Sequence, residues 1–562
     1  MKNSIVALML YGIRVFLSTL ILVPIVVRSD IFGDPLQFIK QKTQQIIDVK
    51  GDPLQFIKRE IMSTSPVIAD NPHKNDVARV RQGTMPAGPE ELAWRAKRFP
   101  RVKAAQEKFL GMKLTDKEVL EVAISCSGGG FRAMLGSLGS LRIAQESGLL
   151  DCVMCISGLS GSTWLIGPWI TSGVSLAEYK KILFPRLKNG PVPSQSFAAN
   201  VINNLLVKFT YEQPLTPVDL YGGLLADVLL GPDDANYVYP ASYFPPHPLS
   251  QAQRIADATY PLPVYTAVLG DMDYAQEWFE CTPYEVGCRA FNAYVPTWAF
   301  GRKFKNGEST DNAPEQTLGY WMGICGSAFA ANFEQAYDTV LNKFINDPFW
   351  REIVESFVYT DLGKIRIAYA QINNFMYEAP GFELRKRKTI KLVDAGLDFG
   401  NPVFATYRNS TNGGMPDVLL VFDYGGAIGN HEIAMISNYA QRKGLKFPPR
   451  PSGSAALRVL TTLKDAHDTA APVVFYLPRF KDDALLAQYK QQYPYYAELL
   501  ANLDWEASVE GGFAAMNNMQ YTKEQAEQVC GLMEFNLLTQ LETIREGMRQ
   551  KVLEKRRLRK RA

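Results

Sequence analysis

The sequence predicts an α/β fold, in which a central sheet is flanked by helices. The chain has 562 residues, of which 47% are hydrophobic and 21% charged, the composition of a folded globular protein. Between residues 119 and 172, two apolar runs (119–125 and 152–157) are each followed by a glycine-containing turn and a helical pattern (131–146 and 161–172). Each turn therefore opens a helix at the carboxyl end of a strand, as is typical of α/β proteins.

The first 29 residues contain an apolar stretch at 5–27 whose only charge is Arg14. This stretch is long enough to cross a bilayer. We expect an uncleaved membrane anchor rather than a signal peptide, because only Lys2 precedes the stretch, which is longer than a signal-peptide core, and no clear cleavage site follows it. The sequence thus predicts a membrane-associated protein with a single N-terminal anchor and a cytoplasmic body, although the flanking charges leave the orientation open.

Residues 30–109 carry the octapeptide GDPLQFIK twice, at 33–40 and at 51–58. Each Asp-Pro pair suits the start of a helix. The repeat is either a duplication within a tether or an amphipathic contact with a membrane surface, and the sequence favours neither. We predict a linker region over 30–109 and a single folded body over 110–562.

The charge of the chain is concentrated at its C-terminus. The net charge is +3, but the last fourteen residues contain eight Lys/Arg and one Glu, and the remainder carries −4. A nucleic-acid enzyme would spread its basic excess over a folded face, so no nucleic-acid partner is predicted. The tail is either a solvated helix end or a contact with an anionic membrane.

Residues 158–162 (GLSGS) match a nucleophile elbow, a sharp strand-to-helix turn that places a serine at its tip. The serine is Ser160, and its small neighbours are needed because the turn leaves no room for larger side chains. The earlier turn, Ser127 to Arg132 (SGGGFR), offers approachable backbone N–H groups, as an oxyanion hole requires. A dinucleotide-binding turn is disfavoured because the spacing is GGG rather than GxGxxG.

A nucleophilic serine needs a proton acceptor, and two solutions are open. The chain has four histidines, and a Ser-His-Asp triad could use His431 or His467. Alternatively a carboxylate acts alone. Residues 391–397 (KLVDAGL) predict a short strand that ends at Asp394, which on local sequence alone resembles an ordinary turn aspartate.

Three motifs, SGGGFRAM (127–134), GLSGSTW (158–164) and LVDAGL (392–397), resemble those of the cytosolic phospholipase A2 (group IV) and fungal lysophospholipase/phospholipase B family. The resemblance extends over about 110–562 through WFECTPYEVG, FGRKF, MGICGSAFAANF, LLVFDYG and MEFNLLTQLETIREGM. It implies a patatin-related fold with an inserted cap and a Ser–Asp dyad. It also implies site roles: Ser160 as nucleophile, Asp394 as base, Gly129 and Gly130 as oxyanion amides, and Arg132 as the cation near the substrate phosphate.

The chain departs from the animal enzymes of this family in two places. An apolar segment and repeats replace a calcium-binding C2 domain before residue 110, and no long acidic insertion precedes Asp394. We therefore expect neither calcium-driven translocation nor a phosphoregulated lid.

The sequence predicts a serine hydrolase that cleaves fatty-acyl esters of glycerophospholipids or lysophospholipids through an acyl-serine. Its partners would be the lipid substrate and a phospholipid membrane, with no metal or organic cofactor, and no oligomeric state follows. The alternatives are a Ser-His-Asp esterase acting on soluble esters and an inactive membrane-tethered scaffold.

Overall fold

A twelve-stranded mixed sheet dominates the computed structural model of the chain, which confirms the predicted α/β fold. The structure describes residues 71–83, 87–187, 207–230, 248–270, 277–330, 369–408, 414–425, 430–449, 458–505 and 518–561. Within these ranges, no helix is both long and apolar enough to span a bilayer. The predicted anchor at 5–27 and both copies of the octapeptide lie outside the described residues.

The described residues form fourteen strands and twelve α-helices. The strands are β1 Arg81–Gln82, β2 Val122–Cys126, β3 Cys155–Leu159, β4 Leu262–Leu269, β5 Trp278–Cys281, β6 Glu285–Cys288, β7 Ala293–Pro296, β8 Phe304–Lys305, β9 Glu308–Ser309, β10 Ala370–Asn373, β11 Thr389–Val393, β12 Val418–Asp423, β13 Thr461–Leu463 and β14 Val473–Pro478. The helices are α1 Pro89–Leu110, α2 Gly130–Glu146, α3 Thr163–Ser172, α4 Leu176–Leu187, α5 Pro217–Leu230, α6 Pro248–Arg254, α7 Leu318–Cys325, α8 Ser327–Ala330, α9 Asn430–Lys443, α10 Asp483–Gln488, α11 Pro494–Leu500 and α12 Lys523–Arg561.

The centre of the sheet is parallel and its flanks are antiparallel. The strand order is β1-β7-β6-β5-β4-β3-β2-β12-β14-β13, and the run from β4 to β14 is parallel. Every residue of β2, β3, β12 and β14 is buried. Helices cover parallel strands on both faces, which explains why these segments read as continuous apolar runs rather than as alternating ones.

The two predicted strand–turn–helix units are present, and both strands start about three residues later than the apolar runs suggest. β2 begins at Val122 because the preceding Leu120 is held outside the ladder, where its N–H donates to Gln106 Oε1 at 2.9 Å. β3 begins at Cys155 because Leu150–Cys152 form a turn of 3₁₀ helix. Side-chain bonds and local helix compete here with the strand pattern.

β3 and β11 lie end to end and pair with the same side of β4. β3 is parallel to β4 and ends where Leu159 pairs with Thr266. β11 is antiparallel to β4 and ends where Val393 pairs with Val268. The two carboxyl ends therefore point at each other, and the residues that follow, Ser160 and Asp394, meet beside β4.

Helix α1, which lies within the region predicted as a linker, packs against the strands and helices of the folded body. Its Trp94 indole donates to the Ile255 carbonyl at 2.8 Å, and the buried Arg98 donates to the Val153 carbonyl at 2.9 Å. Glu91, on the same helix, is fully buried and accepts hydrogen bonds from Arg408. These contacts are made by single residues spread along a charged stretch, so the stretch resembled a linker in the sequence.

Arg408 forms buried ion pairs with Glu91 of α1 and Glu280 of β5. Replacing Arg408 by methionine removes the cation that pairs with both buried carboxylates and leaves Glu280 only its longer contact with Arg289. We expect the substitution to lower the free energy of unfolding by about 3–5 kcal/mol. Arg79→Met is the matched control, because the Arg79–Glu308 pair is largely exposed (77% and 52%). It should cost less than about 1 kcal/mol. Urea denaturation measures both, and equal losses would contradict the prediction.

Candidate active site

Ser160 lies at the tip of a strained turn between β3 and α3. The turn, Ser160–Ser162, is a single 3₁₀ unit, and Ser160 has φ of +51°, a region that non-glycine residues seldom adopt. Gly161 is required here because a Cβ at this position would lie 1.9 Å from the carbonyl oxygen of Gly130. Strain of this kind persists only where surrounding contacts impose it, as they do at nucleophile elbows.

Ser162 fastens this elbow to the neighbouring strand. Its Oγ accepts the Leu159 N–H at 2.8 Å and lies 3.0 Å from the Cys126 carbonyl at the end of β2. The ends of β2 and β3 are thus tied together below Ser160, so that the serine is positioned by the sheet rather than by a mobile loop.

Asp394 is 1% exposed and is hydrogen-bonded to Ser160. The Ser160 hydroxyl donates to Oδ2 at 3.0 Å, and the Gly396 N–H donates to Oδ1 at 2.8 Å. Burial raises the pKa of Asp394 to about 7, although hydrogen bonds from Gly396, Ser160 and Ala328 oppose the rise. The carboxylate therefore titrates near neutrality, where a proton acceptor works well.

The glycine turn packs directly against Ser160. A Cβ at Gly128 would lie 3.2 Å from Ser160 Cβ and 2.6 Å from a Leu159 methyl carbon. Gly129 (φ +131°) and Gly130 (φ +60°) both adopt conformations that favour glycine. Within the described part of the chain, neither amide donates to another backbone carbonyl.

Arg132, on the first turn of α2, is 2% exposed and lies against the glycine turn. Its Nε donates to the Tyr424 carbonyl at 2.8 Å, and a Cβ at Gly129 would lie 3.0 Å from its Nη2. Burial lowers the pKa of its guanidinium. Arg132 thus braces the turn and also places a positive charge beside it.

A second buried arginine, Arg479, is not marked by any motif of the sequence. It follows β14 at the same edge of the sheet, and its N–H donates to the Asp423 carbonyl at 2.7 Å. Burial and the nearby charge of Arg132 lower its pKa to about 9, against the influence of Asp423 and Tyr521. In the sequence it is only a basic residue after an apolar run, so its position at a parallel strand's carboxyl end was the one available signal.

Tyr221, on α5, is a further residue that the sequence did not indicate. Its ring packs edge-on against Trp164 of α3, with ring centroids 6.2 Å apart. Burial, with a smaller effect of the Asp394 carboxylate, raises the pKa of Tyr221 well above its ordinary value. The aromatic side chain therefore forms part of the wall around the Ser160–Asp394 pair.

The described histidines lie away from this pair. His431 and His467 are exposed, whereas Ser160 and Asp394 are buried, and no described histidine is hydrogen-bonded to either. His73 stacks on Trp298 instead, and His247 lies outside the described residues. In the same ranges, no cluster of three or more His, Cys, Asp or Glu side chains is arranged to hold a metal ion.

A strained serine after a parallel strand, a carboxylate bonded to it and a glycine turn beside both are features of serine-dependent ester hydrolases with an α/β fold. A sequence model of the lysophospholipase catalytic domain matches residues 122–407, about half of the chain. The protein belongs to this lysophospholipase catalytic-domain family. It is a hydrolase of the phospholipase/lysophospholipase class.

Comparison with individual proteins agrees with this assignment. Human cytosolic phospholipase A2 beta is 25% identical over an alignment of 545 residues, and the match covers 85% of this chain and 67% of the human protein. Human GIVD cytosolic phospholipase A2 has the same fold, with a TM-score of 0.70 and 22% identity over 84% of this chain and 68% of that one. Its complex with methyl gamma-linolenyl fluorophosphonate matches with a TM-score of 0.66 and 23% identity, over 85% and 66% of the two chains.

Gly161→Ala tests the close approach of the two turns. The added methyl group meets the backbone of Gly130, which cannot move without shifting the glycine turn relative to Ser160. Because a displacement of about 1 Å can cost about 100-fold in rate, we expect ester hydrolysis to fall by about that factor while the protein stays folded. Gly444→Asn is the control, since φ is +63° there and no atom lies within 4 Å. If both variants keep full activity, the crowding has no catalytic importance.

Proposed function

We propose that the protein hydrolyses fatty-acyl esters of glycerophospholipids, lysophospholipids or both, with Ser160 as nucleophile and Asp394 as its only side-chain base. The observation that carries the proposal is the 3.0 Å hydrogen bond from Ser160 Oγ to a buried carboxylate whose pKa is raised to about 7. A Ser-His-Asp triad is less well supported, because the two histidines considered for it are exposed.

The reaction then proceeds in two halves. Ser160 Oγ attacks the ester carbonyl as its proton passes to Asp394, and the Gly129 and Gly130 amides donate to the oxyanion. Asp394 returns the proton to the departing alcohol, which leaves an acyl-serine. Water then loses a proton to Asp394 and attacks the acyl carbonyl, and the fatty acid departs as Ser160 is reprotonated. A single carboxylate whose pKa is close to neutral pH can accept and return the proton in both halves of the reaction.

Arg132 and Arg479 are proposed to bind the substrate phosphate. Both guanidinium groups are buried, and burial together with repulsion from the Arg132 charge lowers the pKa of Arg479. A phosphate between them would relieve this repulsion and accept charge-assisted hydrogen bonds. The lipid's headgroup phosphate would then be held near the turn while its ester reaches Ser160.

We also propose a membrane-facing surface at the carboxyl ends of the parallel strands, where Ser160 lies. β11 runs toward Asp394, and Thr389 at its start lies beyond Leu269, the last residue of β4. Arg385, Lys386 and Lys388 precede this strand and are exposed. These three cations, here called the mouth cluster, suit an anionic lipid surface. The anchor at 5–27 stays a prediction from the sequence.

Ser160→Ala and Asp394→Asn test the proposed pair. Each should lower kcat by about 1,000-fold or more, because residues that act as a unit lose most of their effect when either is removed. A fluorophosphonate probe should label the wild-type protein at Ser160. His431→Ala and His467→Ala serve as controls and should keep most of the activity. A histidine variant as inactive as Ser160→Ala would establish a triad instead.

The raised pKa of Asp394 predicts a pH profile. The carboxylate must be ionised to accept a proton, so kcat/KM should fall about tenfold per pH unit below pH 7 and level off above it. The sign for stability is opposite: a pKa raised from 3.8 to about 7 means that folded Asp394 is favoured in its protonated form. The free energy of unfolding therefore falls as the pH rises from about 4 to about 7.

The side chain of the Asp394→Asn variant cannot ionise. The stability of this variant relative to the wild type should therefore increase as the pH rises from about 4 to about 7, and the difference should stay constant above pH 7. Thermal unfolding at several pH values measures it. A stability difference that does not change with pH would show that Asp394 titrates normally.

Arg132→Ala should reduce the hydrolysis of phospholipid more than that of a small uncharged ester, because its proposed ligand is the substrate phosphate. Arg479→Met should show the same selectivity. The ratio of kcat/KM on the two substrates measures this effect. Equal losses on both substrates would indicate that the arginines only support the glycine turn.

A further inference from the structure

The basic C-terminus lies at the amino ends of the parallel strands, whereas the candidate active site lies at their carboxyl ends. α12 has 39 residues, so it is about 58 Å long. Near its end, Lys555 Nζ donates to Asp417 Oδ2 at 2.7 Å and to the Val119 carbonyl at 3.2 Å. Both acceptors precede the amino ends of β12 and β2, whereas Ser160 follows a carboxyl end. Strand β2, about 17 Å long, separates the two regions.

A cleft of about 570 Å³ lies between the last turns of α12 and the loop after α1. We call it the basic cleft, and it is lined by Lys113, Leu114, Thr115, Glu118, Arg556, Arg559 and Lys560. Four cations from two separate elements therefore converge there with one carboxylate. This is a different arrangement from a single solvated helix face.

Pairing within the cleft fixes its geometry. Arg556 donates to Glu118 Oε1 at 3.0 Å and to the Lys113 carbonyl at 2.6 Å, and its hydrogen bond is the main cause that lowers the pKa of Glu118 to about 2. Glu118 also accepts the Thr115 N–H at 2.9 Å, which caps the loop. The one carboxylate of the cleft is thus already engaged, and the loop is held against the helix.

The other three cations are exposed or weakly engaged. The Lys113 side chain is 94% exposed and lies 3.3 Å from Glu107 Oε2, while Arg559 is 3.4 Å from Thr115 Oγ1. Lys560 is exposed. Three like charges held near one another repel, and an anion with several charges would relieve this repulsion.

We propose that the basic cleft binds an anion that carries several phosphate groups, at a site separate from the catalytic one. Arginine and lysine are the usual ligands of phosphate, and the volume suits a compact ligand of this kind. The ligand is either a soluble polyphosphate or a polyphosphorylated lipid headgroup. The geometry favours the soluble form. The cleft and the active site lie at opposite ends of the parallel strands, so a membrane that contacts the active-site end would not reach the cleft.

The test uses the full chain, with inositol hexakisphosphate as the soluble probe at physiological salt. The cleft variant is Lys113→Ser/Arg559→Ser/Lys560→Ser. Its matched control removes three exposed cations from the mouth cluster, as Arg385→Ser/Lys386→Ser/Lys388→Ser. Calorimetry should give one site per chain, with affinity at least tenfold lower in the cleft variant and unchanged in the control. Equal affinities in all three proteins, or equal losses in both variants, would overturn the proposal.

A second arm distinguishes the two sources of phosphate. If the ligand is soluble, the cleft variant should still float with vesicles that contain phosphatidylinositol bisphosphate, as the wild type does. If the ligand is a lipid headgroup, the cleft variant should no longer float with them. Hydrolysis of dispersed lysophospholipid should stay at the wild-type rate in the cleft variant, because none of its residues is near Ser160. Failure of this site would therefore leave the proposed reaction untouched.

Discussion

The arrangement of β3 and β11 along one edge of β4 is the constraint on which the active site depends. One strand is parallel to β4 and the other antiparallel, and they stop at Thr266 and Val268 of the same strand. Two chain segments 234 residues apart therefore end within hydrogen-bond distance. A slip of one residue in β11 would move Asp394 by about 3.4 Å and turn its side chain to the other face of the sheet.

Close packing around this meeting point also sets its chemistry. Backbone from the glycine turn touches backbone of the elbow at Gly130 and Gly161, a contact that no larger residue would allow. The same crowding keeps water from Asp394, and the loss of hydration outweighs three hydrogen bonds in setting its pKa. The lack of space therefore both holds the two turns together and raises the pKa of Asp394.

The basic residues of the protein fall into groups that the sheet keeps apart. The buried pair, Arg132 and Arg479, lies at the carboxyl ends of the parallel strands, and the mouth cluster lies at the same edge. The basic cleft lies at the amino ends. Because exposed charges beyond about 10 Å are screened at physiological salt, the two ends act as independent electrostatic surfaces. A net charge of +3 conceals this division.

The sequence by itself determined the two strand–turn–helix units, the strained serine and the glycine turn. These features depend on steric and periodic preferences among neighbouring residues, which a local pattern records. Asp394 was different, since its surroundings resembled an ordinary turn and only family resemblance singled it out. Tertiary structure decided that Asp394 meets Ser160, that α1 is part of the body, that Arg479 joins Arg132 and that the basic tail lies far from the site. Each of these depends on the register and packing of segments distant in sequence, and no short stretch of residues encodes such pairing.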